Sequence, residues 1–177
     1  GTVLFALSSM DMPSQWYATV GSVLALIYIL IGQLVKRAKI ESNIIQSYIK
    51  PLNITGFILI SLTAADGLFL TISETTFWAG VIALAIAALD LGVCAYLFQH
   101  SRYTFLASGL AIVPFTLAVG RWLNDAQTAQ SLTWITVAWG ALALTYIALA
   151  ALLQKAGTHA RWLYGWAHFL IPFALFC

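Results

Sequence analysis

Of 177 residues, 62% are hydrophobic and 8% carry a formal charge, where an ordinary soluble domain has roughly 45–50% apolar and about 25% charged residues. Eight basic and six acidic side chains are too few to cover the outside of a water-soluble globule of this length. A net charge of +2 provides no dense basic patch, which excludes a nucleic-acid partner. The expected surroundings are a lipid bilayer.

In chain order, residues 1–13 open with a short apolar run, Thr2 to Leu7, read as the end of a preceding helix or a short arm. Five stretches then approach the roughly 20 residues needed to cross a hydrocarbon core as a helix: 14–35, 52–72, 76–98, 104–123 and 132–154. A sixth, 162–177, is shorter. The first stretch has neither the basic leader nor the small-residue cleavage site of a signal peptide. With both ends falling in apolar sequence, the chain reads as an excerpt of a longer multipass protein. The expected fold is an all-α polytopic transmembrane bundle of about six spans.

The basic residues orient these spans. Lys36, Arg37, Lys39 and Lys50 lie between the first two, Arg102 between the third and fourth, and Lys155 and Arg161 between the fifth and sixth. The alternate connections hold Asp11, Glu74 and Asp125, with Arg121 nearby. Lysine and arginine accumulate on the cytoplasmic side, so connections 36–50, 99–103 and 155–161 are expected there. Trp16, Tyr17, Trp78, Trp122 and Trp134 fall at the opposite boundary, at depths suited to interfacial aromatics. Within 36–50, Ile40, Ile44, Ile45, Tyr48 and Ile49 follow a helical stripe. That segment reads either as an amphipathic helix in the headgroup layer or as an extension of the first span.

Setting Trp16, Trp78 and Trp134 in register aligns Ala25 with Ala87 and Ala143, and Tyr28 with Asp90 and Tyr146. The even spans share Ile112-Val113-Pro114-Phe115 and Leu170-Ile171-Pro172-Phe173, while the first of them has Ser61 at the proline position. These matches predict a helical hairpin used three times in one orientation, over 14–72, 76–123 and 132–177. Inverted repeats of the secondary-transporter kind need opposite orientations.

Ionisable groups inside spans are costly and mark candidate sites. Asp90 lies about 20 Å into its helix at 1.5 Å per residue. Its repeat counterparts Tyr28 and Tyr146 carry hydroxyls able to bond a carboxyl group. Two roles are open to Asp90: a proton carrier or cation ligand, or a hydrogen-bonded strut between hairpins. Asp66 and Arg121 fall at comparable heights, which suggests a charge pair, with a substrate site or snorkelling of Arg121 to the interface as the alternatives. His168 is the one histidine well inside a span, where an imidazole could ligate haem iron or a chlorophyll-type pigment; an interfacial or hydrogen-bonded histidine is the ordinary alternative. Zinc sites gather several ligands at short spacing, and that pattern is missing.

The sequence has no Gly-rich phosphate loop, no His-Glu-x-x-His, no Cys-x-x-Cys and no Gly-x-Ser-x-Gly. Cys94 and Cys177 form no framework. No catalytic set, metal site or cofactor is therefore predicted, and the leading expectation is a non-enzymatic scaffold or accessory subunit. Its partners would be lipid, other membrane subunits or further helices of the same chain. The rivals are a proton, cation or small-solute transporter using Asp90, and the membrane part of a lipid-linked transferase with its catalytic loops elsewhere.

Overall fold

A computed structural model describes residues 13–37, 43–125, 131–153 and 157–176. Among the described residues there is no strand, and a 3-10 turn at Ser14–Trp16 leads into six long helices. These are α1 (Tyr17–Arg37), α2 (Asn43–Leu70), α3 (Phe77–Phe98), α4 (Ser101–Asp125), α5 (Ser131–Leu152) and α6 (Thr158–Phe176). The arm at 1–12, like Lys39, Glu41 and Lys155, lies outside the described residues.

Helices α1 to α5 are long and apolar enough to cross a membrane, as expected of an all-α multipass membrane protein. The sixth is 19 residues long and falls outside that set. It carries His159, Arg161 and His168, which dilute its apolar character.

One expected boundary moves. Residues 43–50, read as part of a separate connection, form the first turns of α2, and the helix continues past Pro51. Proline removes one backbone hydrogen bond, and here that loss is tolerated. Ile49, Asn53, Gly56, Ile60, Thr63 and Gly67 repeat at alternating steps of four and three. Ile49, the last residue of the stripe seen in 36–50, thus begins this face of α2, while Tyr48 beside it is exposed.

The chain folds as two units that meet within α3, one ending at Asp90 and one beginning at Leu91. In the first, α1 packs antiparallel on α2. Ala18, Ser22, Ala25 and Ile29 are buried on α1, and Ile60 and Thr63 on α2. The Thr63 hydroxyl donates to the Ala18 carbonyl across this seam at 3.2 Å. Helices α2 and α3 approach through Gly67 and Gly80. A Cβ on Gly80 would lie 2.5 Å from the Gly67 carbonyl oxygen and 2.8 Å from the Thr71 amide nitrogen, so only glycine fits there. Small residues at such crossings let membrane helices come close enough for dispersion contacts to hold them. The turn after α2 is closed by threonines: Thr71 donates to the Leu68 carbonyl and Thr76 to the Leu70 carbonyl, both at 2.7 Å. These bonds satisfy carbonyls that a helix end would otherwise leave orphaned.

In the second unit, the end of α3 turns into α4 through Gln99 and His100. Gln99 adopts a left-handed φ of 55°, and its amide nitrogen donates to the Tyr96 carbonyl at 2.6 Å. Helices α5 and α6 pack along their length. Ala143, Tyr146 and Ala150 meet Ala160, Leu163, Ala167 and Leu170 in one buried cluster. Both sets repeat at three and four residues, the spacing of a single helix face. Helix α4 lies against this pair, with Trp166 stacked on Phe105 at a ring separation of 5.1 Å.

Candidate functional site

Polar side chains inside the apolar helices gather at three places. The first is the α1–α3 contact of the first unit. Asp90 is 2% exposed, and its carboxylate accepts a hydrogen bond from the Ser22 hydroxyl at 2.5 Å. Surrounding α3 residues Ala83, Leu84, Ala87 and Ala88 are buried, so water has little access. The sequence identified Asp90 but not Ser22, because one serine in a long apolar run is unremarkable until the fold brings its face to the acid.

The second place lies between α1 and α2. A cavity of about 470 Å³ is lined by Tyr17, Tyr28, Thr63 and Asp66 together with apolar side chains of both helices. Tyr28 and Asp66 were singled out on separate grounds, and the α1–α2 hairpin brings them to one cavity. Its polar residues are Asp66, the phenols Tyr17 and Tyr28, and the threonines Thr55 and Thr63; its remaining lining is Ala18, Gly21, Leu24, Leu59 and Leu62. Such a mixture suits a small solute with a few polar atoms.

The third lies in the second unit, where the end of α3, the start of α4, the end of α5 and the start of α6 meet. A cavity of about 360 Å³ is lined by Tyr96, Gln99, Thr104, Ser108, Tyr146 and His159 above an apolar floor. The Tyr146 hydroxyl donates to the Ser108 carbonyl at 2.6 Å, and Ser108 donates back along α4 to the Thr104 carbonyl at 2.6 Å. Thr104 and His159 share a hydrogen bond of 2.5 Å. Sequence reasoning placed His159 on a connection and overlooked Thr104 and Ser108. Their signal was present only as a four-residue spacing on α4.

Arg121, near the far end of α4, bonds the Asp125 carboxylate one turn along the same helix at 3.2 Å. Asp66 lines the α1–α2 cavity described above. His168 is exposed on α6. Among the described residues, no three His, Cys, Asp or Glu side chains form a metal-binding group. Cys94 is a buried thiol outside any disulfide.

The register proposed from tryptophan spacing puts Ala25, Ala87 and Ala143 in equivalent positions, and their exposures are 0%, 0% and 1%. The aligned Tyr28, Asp90 and Tyr146 differ in their surroundings: a cavity wall, a serine and a backbone carbonyl. The chain matches no protein-family model, no curated protein and no solved structure.

Proposed function

We propose that this chain acts as a non-enzymatic scaffold or accessory subunit within a membrane assembly. The observation that carries the reading is the Asp90–Ser22 bond. The one acid deep in a span is occupied in joining two helices, as a strut would be. Tyr146 joins α5 to α4 in the same way, and Arg121 is engaged by Asp125. At most 44% of any span's apolar window is buried within the chain, which leaves large faces for lipid and neighbouring helices. On this reading connections 36–50, 99–103 and 155–161 face the cytoplasm.

The test is reconstitution of the purified chain into proteoliposomes beside an Asp90→Asn variant. A scaffold gives no proton or alkali-cation flux in either, and Asp90→Asn lowers thermal stability in detergent. A flux in the wild type that disappears in a folded Asp90→Asn protein overturns the proposal.

The α1–α2 cavity with Tyr28 and Asp66 supports a second reading, transport of a proton, cation or small solute. In that case Asp66→Asn removes the flux while leaving the Asp90–Ser22 contact in place.

A further inference from the structure

The first unit carries another polar cluster, at the end where α1 finishes and α2 begins. A cavity of about 360 Å³ is bounded by Gln33 and Lys36 of α1 and by Ile49, Lys50, Asn53, Ile54 and Phe57 of α2. Gln33 is 7% exposed, yet its amide nitrogen finds no hydrogen-bond partner, and neither does the amide oxygen of Asn53. Burying such groups unsatisfied costs about 1–3 kcal/mol each, so a fold that keeps two of them beside one cavity is arranged for something that bonds them there. The Asn53 side chain lies close to Gly32 of α1. A Cβ at Gly32 would come within 2.9 Å of the Asn53 amide oxygen, so glycine at 32 makes room for the Asn53 side chain.

The chemistry of the cluster is that of an anion site. Lys36 and Lys50 supply two ammonium groups and Gln33 an amide N–H; a half turn of the Asn53 amide presents a second N–H at the same place. Phosphate oxygens accept from all of these. The cavity does not end at the polar groups. Ile54 and Phe57 also belong to a second cavity of about 340 Å³, which continues along α2 past Ile58, Ser61 and Leu62. A polar head leading directly into an apolar groove on a membrane helix has the outline of a lipid.

We infer that Gln33, Lys36, Lys50 and Asn53 bind the phosphate ester of an anionic phospholipid whose acyl chain lies along Ile54, Phe57, Ile58 and Leu62. The lysines draw the headgroup in, the two amides recognise its phosphate, and the groove distinguishes a lipid from soluble phosphate. The site clamps the α1–α2 hairpin at the headgroup layer.

The experiment follows thermal unfolding of the whole chain, delipidated in a neutral detergent, on adding phosphatidylglycerol, diacylglycerol or inorganic phosphate. Phosphatidylglycerol is expected to raise Tm, while the other two leave it unchanged. A Lys36→Gln/Lys50→Gln protein loses at least tenfold in apparent affinity for phosphatidylglycerol, whereas Arg102→Gln, which removes one charge elsewhere, keeps the wild-type response. Gln33→Leu gives a distinctive signature: a higher Tm without lipid, because an unsatisfied amide is gone, and a diminished lipid response. Equal responses to phosphatidylglycerol and diacylglycerol, or a full response in the lysine double variant, would overturn the site. If inorganic phosphate alone gives the whole shift, the lipid is overturned as the source of the phosphate.

Discussion

Ser22 and Asp90, 68 residues apart in sequence, are joined by a hydrogen bond inside the apolar contact between α1 and α3. Polar contacts of this kind between membrane helices contribute on average about 0.6 kcal/mol and at most about 1.7 kcal/mol in double-mutant cycles. Ser22→Ala and Asp90→Ala should therefore be non-additive. Unfolding of the two single variants and the double variant in mixed micelles is expected to give a coupling of about 0.5–1.7 kcal/mol. Additive effects would remove the strut.

Gly80 offers a steric test of the α2–α3 crossing. Besides the Thr71 side-chain methyl, a Gly80→Ala methyl would strike two backbone atoms, the Gly67 oxygen at 2.5 Å and the Thr71 nitrogen at 2.8 Å, which cannot move aside as a flexible side chain can. Overpacking of this kind costs about 1–3 kcal/mol. Gly140→Ala on α5 meets nothing within 4 Å and should be neutral or slightly stabilising, since alanine is the better helix former. Comparing the two variants' unfolding midpoints separates crowding from helix propensity.

Tyr146 probes the α4–α5 contact. Tyr146→Phe keeps the ring within its buried cluster of α5 and α6 but removes the donor to the Ser108 carbonyl. A loss of about 0.5–1.5 kcal/mol is expected, measured by thermal unfolding. Tyr146→Ala also empties ring volume and should cost about 3–5 kcal/mol. An equal loss in the two variants would show that the ring contributes nothing.

The proposed threading is open to direct chemical mapping. In a protein with Cys177→Ser and the buried Cys94 retained, cysteines placed singly at Ser73 and Gly157 should react with a membrane-impermeant maleimide from opposite sides. Gly157 is expected to label from the cytoplasmic side and Ser73 from outside. Labelling of both from one side would refute the alternation of connections.

Much of the fold was legible because its causes are local. Five apolar runs of bilayer length became five helices able to cross a membrane, and the turn at Gln99–His100 falls where polar residues interrupt the third and fourth runs. The start of α2 was misjudged because Pro51 and the nearby lysines resemble a connection, whereas the register of Ile49, Asn53 and Gly56 is continuous with the rest of the helix. Asp90 stood out as an acid deep in apolar sequence. Its partner did not, since serine, threonine and glutamine are common in spans and acquire meaning only from the helix they face.

The sequence alone determined the helical class and the positions of nearly every helix long and apolar enough to cross a membrane. Composition and hydrophobic run length act residue by residue, whatever the rest of the chain does. Tertiary structure decided which polar groups have partners. It gave Asp90 to Ser22 and Tyr146 to Ser108, gathered Tyr28 with Asp66 at one cavity, and left the Gln33 amide nitrogen and the Asn53 amide oxygen without a partner beside two lysines. Those outcomes depend on the angle and register at which helices meet, set by small residues such as Gly67 and Gly80. A one-residue change in register turns a different side chain to the contact, so pairing across helices is a property of the packed chain.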